Sequence, residues 1–320
     1  MIWTTLLVTV LLLIGLSLFP SLTLPGKWLA VAQAAYRESV RQPLFWLLLA
    51  LATVFMLLSV YLPYFTFQEE IKMMKGINLS AILLATLILT VFTAGVTISE
   101  EIEGRTAVTV LSKPMSRRAF LLGKFVGFFL AAVLLAVLLS VVMAMTVYYR
   151  NEIDQEEPRP QLAEIQQLET ALGFLPEVIL GGLRYLVYIG HEMALLAPGV
   201  VCNLFQVMIL TGLAVALATR LPVVVNLVIC LTVFILGRLS HILVYQSDPQ
   251  RGGNPLVHVM AQVFSTVLPG FNYFDMTDAV VSGIEVPWGD YVLHVAVHAA
   301  VYTAIALLFG LILFEDRDVA

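Results

Sequence analysis

Long apolar runs separated by short polar stretches dominate the chain, at roughly 2–24, 43–66, 77–98, 119–148, 193–219, 223–245 and 291–314. A helix rises about 1.5 Å per residue, so about 20 apolar residues cross the hydrocarbon core of a bilayer. The runs are uninterrupted Leu/Val/Ala stretches without turn residues, which predicts helices and not barrel strands. The pattern therefore predicts an all-α integral membrane protein, a polytopic helical bundle of about seven spans. The first run lacks a positive leading region and a small-residue cleavage motif, so residues 1–24 read as an extra N-terminal transmembrane span.

Three pieces fall outside these runs. Residues 25–42, "PGKWLAVAQAAYRESVRQ", mix Trp28, Leu29, Val31 and Tyr36 with Lys27, Arg37 and Arg41. That mixture predicts an amphipathic connecting helix lying along the membrane interface. Residues 149–192 open acidic, with Pro158 and Pro160, and turn apolar at "LGFLPEVILGGLRYLVYIG". Glu177, Gly181, Gly182 and Arg184 argue against a further span, so helical pieces on the outer membrane surface are expected. Within the segment 246–290, a half-length apolar run from Asn254 reaches Pro269-Gly270 and then polar residues. A broken, re-entrant helix fits, because irregular backbone at membrane depth needs shelter from protein. Residues 43–320 as a whole form the expected transmembrane domain, and no internal repeat is visible.

Composition agrees. The chain has 320 residues, 60% of them hydrophobic and 12% charged, where a soluble domain carries about 25% charged residues. So much apolar surface has to face lipid. Basic residues are few and scattered apart from one cluster, so nucleic acid is not an expected partner. Cys202 and Cys230 both lie in apolar runs and read as small core hydrophobes.

That cluster sits in a polar stretch, "SEEIEGRTAVTVLSKPMSRRAFLLGKF", from Ser99 to Phe125. If residues 99–118 are cytosolic, that side collects ten Lys and Arg residues and the other side six, with Arg238 inside a run. The asymmetry predicts a multi-pass protein with the N-terminus outside and the C-terminus in the cytosol. After Ile98, the helix is expected to continue through Glu100, Glu101 and Glu103. Their carboxylates then sit unfavourably at its carbonyl end, and Arg105 or a partner has to compensate. Gly104 marks a turn. "RTAVTVLS" suits a short amphipathic helix with Ala107, Val110 and Leu111 on one face. Pro114 forces Lys113 towards extended backbone, and Ser116 suits a cap for the next helix. Arg117 and Arg118 suit the headgroup level, with Lys124 snorkelling back towards it. Gly123 and Gly127, four apart, suit close helix contact. A helical element held between two spans has the shape to pass force from a cytosolic partner into the membrane.

The stretch "EEIEGRTAVTVLSKPMSRRAFLLGKFVG" closely resembles the signature of the membrane subunits of ABC exporters of the type-2 permease family. "AAYRESVRQPLFWLLL" resembles that family's connecting helix and first span, and "LILFEDRDVA" its usual ending. Together these frame about residues 30–320, and only 100–127 is specific. The resemblance implies that Glu100, Glu101, Glu103, Gly104, Arg105 and Thr106 fall on a coupling helix that docks into a separate ABC ATPase subunit. Lys113, Pro114, Arg117 and Arg118 fall on the return into the membrane. It also implies a dimer, with itself or a homologous permease, in the plasma (inner) membrane. Family members commonly have six spans with the N-terminus inside, from which the extra run at 1–24 departs.

No Gly-x-x-x-x-Gly-Lys-Ser/Thr occurs; Gly26-Lys27 and Gly123-Lys124 are not followed by Ser or Thr. Any ATP and magnesium therefore belong to the partner, and the chain is expected to be a transport subunit, not an enzyme. Four ionisable residues in the runs, Arg238, His241, His294 and His298, suit an intramembrane polar path. A bland alternative has Arg238 snorkelling to the outer interface, and His294 and His298 lack an identifiable third ligand for a metal. Two rival functions follow: an ion-coupled secondary transporter using these four residues, or an assembly or anchoring protein that docks through its acidic outer segment.

Overall fold

The computed structural model describes residues 27–62, 70–103, 117–153, 177–247, 254–283 and 288–315. The predicted run at 2–24, the segment 104–116 with Gly104, Arg105, Thr106, Lys113 and Pro114, and the acidic stretch 154–176 lie outside them. Every long element is a helix: α1 Lys27–Arg41, α2 Pro43–Ser59, α3 Glu70–Glu103, α4 Arg117–Ile153, α5 Glu177–Ala218, α6 Val223–Gln246 and α7 Pro255–Val267. A 3-10 turn Phe271–Phe274, the short α8 Thr277–Val281, a π-turn Trp288–Val292 and α9 Leu293–Glu315 complete the described chain.

Among the described residues, five helices are long and apolar enough to cross a bilayer, six if the bent pair α1–α2 counts as one span. This is an all-α polytopic membrane protein, as the apolar runs predict. The uncharged stretches set the membrane level. Residues 125–149 of α4 and 193–219 in and just after α5 contain no Asp, Glu, Lys or Arg. At about 1.5 Å per residue each covers about 37–40 Å, enough for a core about 30 Å thick.

Packing sorts the helices. The apolar stretches of α3, α4 and α5 are 72%, 61% and 67% buried, against 22% for α6 and 28% for that of α9. The first three therefore form the centre, where Leu87, Leu121, Phe128 and Leu210 meet, and α6 and α9 form the flank. Cys202 and Cys230 are buried and free, as expected of small core residues.

The chain turns between α1 and α2 for a local reason. A residue before proline is kept out of the helical region, and Gln42 is extended, with φ −62° and ψ 138°. The two helices consequently bend by 56°. The Gln42 side chain is held at the bend by α3: Thr93 Oγ1 donates to its Oε1 at 3.2 Å, and its Nε2 donates to Thr97 Oγ1 at 3.3 Å. Helix α1 buries Ala32, Ala35 and Ser39, the helical spacing of one face. That face lies on α4. A Cβ on Gly123 would meet Val31 at 2.7 Å and the Trp28 carbonyl at 2.8 Å; one on Gly127 would meet the Ala32 carbonyl at 2.5 Å. The expected small-residue contact exists, and its partner is the connecting helix.

Two expectations change. Residues 177–192 are not separate surface pieces: they are the first part of α5, a single 42-residue helix. The glycines that argued against a further span, Gly181 and Gly182, face open space, as does Gly190, so they neither turn the chain nor seat a neighbour. Pro198 lies inside the same helix without ending it. The second run gives a helix only to Ser59, followed by a turn at Val60–Leu62. Its 17 residues stand at the short end of what spans a bilayer, about 17–25 residues. The half-length helix before Pro269 is present as α7, 13 residues packed along α6.

Candidate functional site

Helix α3 runs without interruption from Glu70 to Glu103, so the membrane helix and the acidic end of the charged stretch are one rigid body. Glu100 is exposed and Glu101 half-buried one position on, because adjacent residues on a helix point about 100° apart. The two carboxylates therefore face different surroundings. Glu103 and Arg117 lie in the ends of α3 and α4, and Arg118 is exposed at the start of α4.

Glu101 meets Lys124 of α4. Lys124 Nζ donates to Glu101 Oε1 at 2.7 Å and to Glu38 Oε2 of α1 at 3.3 Å. It also lies 5.8 Å from the centre of the Phe128 ring, within reach of a cation–π contact. The lysine side chain is only 4% exposed, against 26% for Glu101 and 43% for Glu38. This corrects the expectation that Lys124 snorkels to the headgroups. It turns inward because Gly123 and Gly127 bring α1 against α4, and the two carboxylates supply the charge it would otherwise seek in water. One buried cation thus joins α1, α3 and α4 at the root of the charged segment. Lys124 is thus a partner of an acidic residue at the carbonyl end of α3; Arg105, the partner expected from the sequence, lies outside the described residues.

A second polar cluster closes the opposite end of the bundle. Arg150 pairs with Glu70 and donates from Nη1 to the Val60 carbonyl at 2.7 Å. Lys75 meets Glu192 at 2.9 Å, and the Tyr188 hydroxyl donates to the same carboxylate at 3.3 Å. Lys124 and Arg150 are 26 positions apart on α4, or about 39 Å along its axis. The two clusters therefore stand at opposite membrane interfaces, with no charged residue of α4 between them.

Of the four residues read as an intramembrane path, three have described side chains, and each meets other groups. Arg238 of α6 pairs with Asp275, and the arginine side chain is 33% exposed. Its partner answers the alternative of free snorkelling: a carboxylate from the turn after Pro269 is brought to it. Gly237 makes room for that turn, since a Cβ there would strike Phe271 and the Pro269 carbonyl within 2.7 Å. His298 of α9 sits among the rings of Tyr273, Phe274 and Tyr302, with Nε2 buried and lacking a hydrogen-bond partner. His294 contacts the Asp290 carbonyl. His241 lies in α6, its side chain outside what is described. Among the described residues, no group of three His, Cys, Asp or Glu suited to a metal ion occurs.

Sequence reasoning missed Glu38, Gln42 and the pairing of Lys75 with Glu192. Their partners lie 51 to 117 positions away, beyond any helical periodicity. The one available signal was Lys124 itself: a lone cation next to the Gly123/Gly127 face belongs where another helix lies.

Residues 40–160 match the sequence model of a known family, described as ABC-2 family transporter protein. No curated protein matches the chain. The matched residues begin at the end of α1 and run past the end of α4, so they contain Gln42, Glu101, Lys124 and the charged segment between them. The resemblance drawn from the 100–127 motif is borne out by this match.

Proposed function

With an ABC-2 family transporter segment at 40–160 and several membrane-spanning helices as premise, we propose that the chain is the permease subunit of an ATP-driven exporter. A separate ATPase docks on the cytosolic segment 99–118, and ATP and magnesium are bound there by the partner. Glu100, Glu103, Gly104, Arg105 and Thr106 form the docking side; Lys113, Pro114, Arg117 and Arg118 return the chain into the membrane. The observation that carries this reading is the continuity of α3 into that segment, with its root fixed by the buried Lys124 contacts to Glu101 and Glu38. A push on the segment is then transmitted to α3, α4 and α1 together instead of being absorbed by a loose loop. A second copy or a related permease completes the transporter, with the substrate route at the interface, and the chain lies in the plasma membrane with its C-terminus in the cytosol. The exposed apolar faces of α6 and α9, such as Val224, Val228, Val297 and Val301, suit contact with lipid or with that second subunit.

The division of labour between neighbouring carboxylates provides the test. Glu100→Lys should abolish co-purification of the ATPase from native membranes. Glu101→Gln should keep the ATPase bound while transport falls relative to ATP hydrolysed. Undiminished ATPase recovery with Glu100→Lys would remove the docking reading.

A further inference from the structure

A groove of about 840 Å³ runs between α2 and α3 and is capped at the Glu70 end by α8. Its volume falls within the range of about 300–1,000 Å³ in which proteins hold small organic ligands. The groove exists because its floor is built of small residues: Ala52, Gly76, Ala81 and Ala85 all line it. Leu51 and Leu84, which also line it, are exposed at 63% and 51%, so the groove opens on the lipid-facing flank of the bundle.

Its two ends differ chemically. At the capped end stand Lys72, Thr277, Asp278 and Ser282; from Ile77 to Ile88 the α3 wall is apolar apart from Ser80. Lys72 lies two positions after Glu70 and three before Lys75, at the level of the interfacial ion pairs described above. The eleven steps from Ile77 to Ile88 cover about 16 Å along the helix. Half of a hydrocarbon core about 30 Å thick is about 15 Å, the depth of one leaflet. The groove is therefore polar at headgroup depth and apolar for the length of one monolayer.

We propose that this groove is a binding site for one resident glycerophospholipid with a zwitterionic, amine-bearing headgroup, drawn from the leaflet at the Glu70 end. An acyl chain lies along Ile77–Ile88 against Leu48 and Phe55. The headgroup phosphate is drawn to the Lys72 ammonium and the headgroup amine to the Asp278 carboxylate, while the Thr277 and Ser282 hydroxyls stand by as donors. A cation and an anion both lining the mouth favour a headgroup carrying both charges over a purely anionic one. The site is independent of ATPase docking, which concerns the other end of the bundle.

The test uses the full chain, purified with its partners into nanodiscs made from a defined mixture of phosphatidylethanolamine and phosphatidylglycerol, then read by native mass spectrometry. The wild type should retain one phosphatidylethanolamine per chain after bulk lipid is stripped. Ala81→Trp fills the groove and should lower that occupancy at least tenfold, whereas Ala304→Trp, on the exposed side of α9, should leave it unchanged. Asp278→Lys, at an exposed position that does not threaten folding, should shift the retained lipid from phosphatidylethanolamine to phosphatidylglycerol. Retention that mirrors the bulk mixture and does not respond to Asp278→Lys, or occupancy indifferent to Ala81→Trp, would overturn the assignment and leave only annular lipid.

Discussion

Replacing Lys124 by methionine keeps much of the side chain's length and its apolar stem but removes the cation between Glu101 and Glu38. Breaking a buried ion pair from one side costs about 3–5 kcal/mol, because the surviving charge is left unpaired. Here the survivors are not fully buried: Glu101 is 26% exposed and Glu38 43%. Water screens them in part, and the expected loss is about 2–3 kcal/mol. That corresponds to roughly a 30- to 150-fold fall in the ratio of folded to unfolded protein, at 1.4 kcal/mol for each factor of ten. Glu38→Gln removes only the longer and more exposed contact, and should cost about 0–1 kcal/mol. In a double-mutant cycle, adding Glu101→Gln to Lys124→Met should cost less than the sum of the single changes by about 1 kcal/mol or more. The measurement is reversible unfolding in bicelles, with helix content and segment-specific labels read together. Single costs that add within about 0.5 kcal/mol would refute the buried link and return Lys124 to the headgroup region.

Two further outcomes follow from packing. Gly127→Leu should displace α1, because even its Cβ would lie 2.5 Å from the Ala32 carbonyl and 2.9 Å from the Tyr36 backbone nitrogen. A cost of about 1–3 kcal/mol is expected for such overpacking, while Gly190→Ala, facing open space, should be neutral or slightly stabilising in the same unfolding measurement. Gln42→Leu should remove both side-chain bonds from the α1–α2 bend to α3. Interhelical bonds in membranes are worth about 0.6 kcal/mol each, so a loss of about 1 kcal/mol is expected, seen also as a wider distance distribution between spin labels on α1 and α3.

The helices were legible because lipid imposes a length: a run of about 20 apolar residues bounded by charge has few other solutions. The boundary at 42/43 followed from the change from mixed to apolar sequence, and the half-length helix before Pro269 was visible through proline. Gly123 and Gly127 announced a close contact, although not with which helix. What stayed hidden was pairing across the sequence. Lys124 and Glu101 both looked solvent-directed, since nothing local tells a snorkelling lysine from one capped by another helix. The joining of 177–192 to α5 was missed for a related reason. Glycine marks a turn only where the backbone needs it, and here Gly181 and Gly182 sit in an ordinary helix. Arg238 was recognised as costly inside a span, but its partner Asp275 arrives through a turn that hydropathy does not describe.

The central claim is that the segment following α3 is held by a nucleotide-hydrolysing partner. A photo-crosslinking amino acid placed at Thr106 in native membranes tests it directly. The account predicts an adduct with a protein bearing an ATPase phosphate-binding loop, whose yield changes when ATP is trapped on that partner. Adducts with lipid alone, or labelling of the Thr106→Cys variant by a membrane-impermeant maleimide from outside the cell, would contradict it.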